Sequence, residues 1–198
     1  MKTKLLPFVL LLISFSAIAQ SSLEVKGYFG VSGSTVARKV ELTGASSVEM
    51  NSLMELGLLL SKNVGGNFRV TTGINYSFGE VDFSPMICPN CSMDLLYVHN
   101  YDFKMISVPV YGEYHFWNYL YLAAGPLLDF QRSKDNNFSD QSGLGYLIGL
   151  GGKYDANNFS FSIFPNYKRH GAIPFDDSAQ YKHILQELGL QFGVGYRF

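Results

Sequence analysis

The sequence predicts an all-β protein, an eight-stranded antiparallel up-and-down transmembrane β-barrel. Three observations predict it. Apolar and polar residues alternate with period two in eight segments, which is the repeat of a strand with two unlike faces. The connectors between segments alternate short and long. The composition combines 15% aromatic residues and 20 glycines with only 16% charged residues, against roughly 25% in soluble domains. So aromatic and charge-poor a chain of 198 residues is not disordered. Its formal net charge of −1 argues against nucleic acid, which asks for a basic surface.

The first nineteen residues stand apart. Lys2 and Lys4 precede an apolar run from Leu5 to Phe15, and Ala17-Ile18-Ala19 closes the segment. A basic head, a short apolar stretch and small residues at alternate positions define a secretory signal peptide. The run is too short for a membrane-spanning helix, which needs about 20 apolar residues. Cleavage is expected after Ala19, giving a signal peptide at 1–19 and a barrel domain at 20–198. No Cys stands at the cleavage site, so a lipid anchor is not expected. Loss of Lys2 and Lys4 leaves 13 basic against 16 acidic residues, a mature charge of −3.

The segments follow in order. Alternation is partial over Val25–Gly33. Met54, Leu56, Leu58 and Leu60 lie opposite Glu55, Gly57 and Ser61. Phe68, Val70, Ile74, Tyr76 and Phe78 oppose Arg69, Thr71, Gly73, Asn75 and Ser77. In Lys104–Phe116 the apolar set is Ile106, Val108, Val110, Tyr114 and Phe116, against Ser107, Tyr111, Glu113 and His115. Leu120, Leu122, Leu128 and Phe130 share a face, although Leu127 spoils the opposite one. Leu144, Tyr146, Ile148 and Leu150 oppose Gly145, Gly149, Gly151 and Lys153. Phe159, Phe161, Ile163 and Tyr167 alternate with Ser160, Ser162, Asn166 and Lys168. The last segment is the cleanest: Ile184, Gln186, Leu188, Leu190, Phe192, Val194, Tyr196 and Phe198 face away from Glu187, Gly189, Gln191, Gly193, Gly195 and Arg197.

Asn63–Asn67, Trp117-Asn118 and Asp155–Asn158 are tight connectors, rich in the Gly and Asn of hairpin turns. Longer polar stretches, Ser34–Met50, Asp82–Tyr101, Arg132–Ser142 and Gly171–His183, separate them. Three short turns and four long loops fit an eight-stranded barrel with both termini on the short-turn side, the periplasmic side in outer-membrane barrels.

Alternation does not say which face is outside. A soluble lipocalin-like barrel, periplasmic or secreted, would turn the apolar face inward around an apolar ligand. The polar face favours the inverse arrangement. It is crowded with glycine (Gly57, Gly73, Gly145, Gly149, Gly151, Gly189, Gly193, Gly195) and lacks the Lys and Glu of a water-facing surface. Phe68, Phe78, Tyr114, Phe116, Tyr154, Phe159, Tyr196 and Phe198 lie near segment ends, as an interfacial aromatic girdle would. The lumen is then expected to hold a polar network of Lys26, Glu55, Arg69, Glu113, Asp129, Lys153, Glu187 and Arg197, with Lys168 on the same face. Side chains nearly fill an eight-stranded interior, so the plainer reading is a paired plug, and a proton or ion path is the sharper one. An open porin needs about 16 strands.

Four stretches carry a family resemblance: ISVPVYGEYHF (Ile106–Phe116), YLYLAAGPLLDF (Tyr119–Phe130), GLGYLIGLGGKYD (Gly143–Asp155) and LGLQFGVGYRF (Leu188–Phe198). In these the chain resembles the PorT-like outer-membrane β-barrel family, small barrels abundant in Bacteroidetes and other Gram-negative relatives. The resemblance covers essentially the mature chain, and its weak first strand is the main departure. It implies an outer-membrane location and no catalytic signature. Some relatives serve in protein secretion, and most have no assigned role. Tyr196 and Phe198 stand where such barrels carry the C-terminal signal read by the outer-membrane assembly machinery.

Other candidate chemistry is thin. Cys88-Pro89-Asn90-Cys91, in a long loop of an exported protein, reads first as a disulfide that tightens the loop. A redox CxxC calls for a βαβ context that is absent, and His99 and Asp94 supply no recognised metal-ligand spacing. His115 falls at the periplasmic end of a segment, and His99, His170 and His183 fall in or beside outer loops, where rim histidines are the plainer reading. A lipid-modifying hydrolase would gather them with Ser and Asp, but no G-x-S-x-G or H-E-x-x-H occurs. Arg38, Lys39, Arg132, Lys134, Lys168, Arg169 and Lys182 are candidates for lipopolysaccharide phosphates. Phe83, Pro85, Met86, Ile87, Leu95, Leu96 and Tyr97 make the second loop apolar enough to fold over the barrel mouth or dock a partner. The expectation is a non-enzymatic outer-membrane protein with a structural, secretion-associated or surface-interaction role. Its partners would be membrane lipid and lipopolysaccharide, the assembly machinery and a secretion or surface protein, with no cofactor, metal or nucleic acid.

Overall fold

The computed structural model describes residues 23–38, 47–84, 99–133, 138–175 and 183–198. Its elements are β1 (Leu23–Arg38), β2 (Ser47–Gly65), β3 (Phe68–Ser84), β4 (His99–His115), β5 (Leu120–Gln131), β6 (Gly143–Ala156), β7 (Phe159–Pro174) and β8 (His183–Arg197). Each strand pairs antiparallel with its chain neighbours, and β1 pairs with β8 to close the ring. The seam runs in unbroken register from Glu24↔Arg197 to Arg38↔His183. Closure gives each strand two partners through the body of the ring, so the ladder N–H and C=O groups there bond inside the sheet, as hydrocarbon demands.

The three tight turns fall where Gly and Asn predict them. Gly66 at φ 55° and Asn157 at φ 56° occupy the left-handed region, which Gly and Asn enter most readily. The strands are longer than their alternation implies. Crossing a bilayer takes about 9–11 residues, yet β2 has 19 and both β3 and β4 have 17. The excess lies at the loop end, so residues 34–38, 47–50, 82–84 and 99–101, expected in loops, continue the sheet. In β2 the alternation hides this because a bulge between Met50 and Leu53 changes its parity. In β7, where Gly171 adopts φ 55°, the pairing slips by two residues between Leu144 and Tyr146. Both weakly patterned segments, β1 and β5, are full members of the ring.

The faces are disposed as an oily exterior and a packed interior. Leu58 is 61% exposed, Phe192 49% and Ile148 46%, whereas Glu113 is 2% exposed and Asp129 is fully buried. This excludes the soluble barrel with an apolar interior. Phe68, Tyr114, Phe116, Trp117, Tyr119, Tyr154, Phe159, Tyr196 and Phe198 form an aromatic belt at the turn end, many in ring contact, including Phe68 with Tyr114 and Tyr196 with Phe198. Phe78 does not join them. It pairs in register with Lys104 in the loop-side half and stacks beside Tyr76.

Candidate functional site

The lumen holds four layers. At the turn end Glu24 accepts from Arg69 Nη1 at 2.9 Å, from Ser160 Oγ at 2.9 Å and from the Lys153 ammonium. Beside it Glu113 accepts from Thr71 Oγ1 at 2.7 Å and contacts His115 Nε2 at 3.2 Å, and Ser61 donates to Thr71 at 2.7 Å. At the mouth Arg197 Nη2 lies 2.7 Å from Asp155 Oδ2.

Above this cluster is an apolar layer of Tyr28, Leu59, Tyr111, Tyr121, Ala123, Leu127, Leu147 and Phe164. Phe164 stacks on Tyr121 at 5.6 Å and on Tyr111 at 6.3 Å. Glycines make room for these rings. Tyr28 stands opposite Gly57 in register and Tyr121 opposite Gly151. A Cβ on Gly57 would lie 2.2 Å from Tyr28 Cε1.

The third layer is ionic. The Tyr28 hydroxyl and the Lys168 ammonium both donate to Glu55, and Lys168 Nζ lies 3.7 Å from Glu187 Oε2. Ser32 Oγ donates to Glu187 at 3.2 Å. His170 is 1% exposed, with Nδ1 2.8 Å from Asp129 Oδ2 and Nε2 3.0 Å from Glu187 Oε1. Ser107 Oγ donates to Asp129 Oδ1 at 2.6 Å. The path Tyr28–Glu55–Lys168–Glu187–His170–Asp129–Ser107 therefore ties β1, β2, β7, β8, β5 and β4 together across the barrel.

A second apolar layer caps it: Met50, Leu53, Val81, Phe103, Met105, Phe138 and Leu185. Phe138 comes from the β5–β6 connection, which is folded in and fastened by Gln141. The Gln141 amide donates to Ser139 O at 2.8 Å and His183 O at 2.9 Å, and its Oε1 accepts from Leu185 N at 3.1 Å.

Lys26, Glu55, Arg69, Glu113, Asp129, Lys153, Glu187 and Arg197 all lie on the inner face, divided between the turn-end and middle clusters. Lys26 joins neither by a direct bond. Two placements correct the sequence reading. His170 is no rim histidine: β7 continues past Lys168, and the alternation Phe164, Asn166, Lys168, His170 carries it inward. Lys168, read both as a lumen residue and as a surface base, takes the first place only: it is committed to Glu55 inside the barrel. Glu24, Asp155 and Tyr28 were missed, although Glu24 shares its parity with Lys26. Tyr196 and Phe198 lie on the outer wall at the end of β8. His183 begins β8 and stacks on Phe138 at 5.6 Å. Cys88 and Cys91, the apolar second loop from Pro85 to Tyr97, and the residues before 23 lie outside the described residues. Among the described residues no group of three His, Cys, Asp or Glu is placed to hold a metal ion.

A closed ring of eight strands, oily outside and ionic within, matches a known sequence family. The family model described as outer membrane protein beta-barrel domain matches residues 18–198. The chain belongs to that family. Among solved structures, OprG from Pseudomonas aeruginosa is similar over 90% of this chain and 96% of its own, with 15% identity and a TM-score of 0.56. The outer membrane protein AlkL covers 90% of each chain at 15% identity and a TM-score of 0.49. Ail, the attachment invasion locus protein of Yersinia pestis, covers 90% of this chain and 99% of its own at 15% identity and a TM-score of 0.45. No curated protein matches. The likeness to OprG is one of fold, and the family places this chain among outer-membrane barrels.

Proposed function

We propose that this protein is a non-conducting, non-enzymatic outer-membrane barrel that acts through its two ends, in a secretion-associated or surface-interaction role. The observation that carries this reading is the filled lumen. Two apolar layers separate and cap the ionic ones, and an ion crossing them would lose its hydration with nothing in return. The long loop-side strand extensions favour the same reading, since sheet beyond the bilayer has no membrane task. The narrower likeness to PorT-like barrels in Ile106–Phe116 and Leu188–Phe198 supports a secretion-associated role.

The signal peptide at 1–19, reading of Tyr196 and Phe198 by the assembly machinery, and contact with lipopolysaccharide through Arg132 and Arg169 belong to this proposal. The test is threefold. Purified protein in a planar bilayer should pass no steady current, crosslinking in native membranes should capture a partner through the loop end, and N-terminal sequencing should begin at Gln20. Stable single-channel steps would overturn the non-conducting reading.

A further inference from the structure

We infer that the turn-side mouth of the lumen binds a small oxyanion, a carboxylate or phosphate group presented from the periplasm. The inference rests on the outer-membrane reading, which puts the short turns on the periplasmic side. A cavity of about 160 Å³ opens there, lined by Asn63, Gly66, Asn67, Phe68, Arg69 and His115. Its polar lining is all donor-capable: two amides, a guanidinium and an imidazole.

The charges behind it do not balance. Lys26, Arg69, Lys153 and Arg197 face only Glu24, Glu113 and Asp155 among the inward side chains of this end. The surplus can be assigned. Arg69 and Lys153 converge on Glu24, and Arg197 pairs with Asp155. Lys26 is 6% exposed and has no hydrogen-bond or ion-pair partner among the described residues. Lys26 and Glu113 attract one another at longer range. Glu113 is already engaged by Thr71 and by His115, which lines the cavity. Glu113 is thus shared between Lys26, Thr71 and His115, and this end carries one more cation than carboxylate. An anion entering between Arg69 and His115 would offset that surplus and receive charge-assisted hydrogen bonds from the Arg69 guanidinium, with Lys26 adding its field from within the lumen.

The test uses the full mature chain refolded in detergent micelles and followed by amide and His115 ring NMR signals during titration. Potassium phosphate and potassium acetate form separate arms, with potassium chloride as the ionic-strength control. Saturable shifts at Gly66, Asn67 and His115 are expected in one oxyanion arm, with half-saturation on the order of 1 mM. The responding arm names the source chemistry. Lys26→Gln and Arg69→Gln should each weaken binding roughly tenfold, while Lys104→Gln at the opposite end should not. Folding of each variant is read from heat-modifiable gel migration. The inference falls if wild-type protein shows no saturable shift with either oxyanion, if chloride reproduces the shifts, or if folded Lys26→Gln binds as wild type does. None of these results would touch the conductance test, so the two readings fail separately.

Discussion

Tyr121 lies flat against Gly151: a Cβ on that glycine would stand 2.1 Å from Tyr121 Cζ. The two are direct partners across β5 and β6. The missing side chain on one strand is the space that the ring on the next one fills. Gly151→Val should therefore overpack the middle of the lumen and destabilise the barrel by about 1–3 kcal/mol. The check is a lower urea midpoint in detergent, read from the single Trp117, and Tyr121→Ala in the same chain should recover much of the loss.

Lys168 carries the middle ionic layer, since it faces both Glu55 and Glu187. Lys168→Met would leave two buried carboxylates short of their cation and should cost about 3–5 kcal/mol. Adding Glu55→Gln should restore part of it. Equal urea midpoints for wild type and Lys168→Met would show that the layer contributes nothing.

The wall is predicted to be lipid-facing and can be probed directly. Leu58 and Leu150 are both at least half exposed on the outer surface. Arg at either position should lower stability by about 2–4 kcal/mol in vesicles if it sits near the bilayer midplane. The same changes on a barrel standing in water would be neutral or solubilising.

The apolar layers are predicted to be the seal. Replacing Tyr28, Tyr121 and Phe164 together by Ala removes three rings that fill the space between the two ionic clusters. The triple variant, once shown to fold, should pass measurable current where wild type passes none. A silent triple variant would place the seal in the upper cap, around Phe103 and Phe138.

Most of the fold is legible in the sequence because a sheet with one oily face prints a period of two, and lipid enforces it on every strand. β5 shows why an apparent flaw was information: Leu127, which spoils its polar face, is a fully buried member of the lumen's apolar layer. Three of the four inner aromatics escape the reading for the same reason. Tyr111 falls on the polar face of its segment as read, but Tyr28, Tyr121 and Phe164 are apolar residues on that face, and only the register shows Tyr28 and Tyr121 opposite glycines. His170 was misplaced because Gly171 beside it reads as the start of a loop. In the structure that glycine forms a bulge, and the strand runs on. Pairing among the charges is not written in the alternation at all, since it depends on which strands meet across the axis.

The seam between the first and last strands has a temporal consequence. Until β8 has been synthesised, β1 has nothing to close against, and a chain lacking it would keep two raw borders and an interior open to water. The cylinder must therefore be completed in one commitment once the last strand is present, and loss of β8 should be felt as a failure of assembly rather than as a weaker barrel.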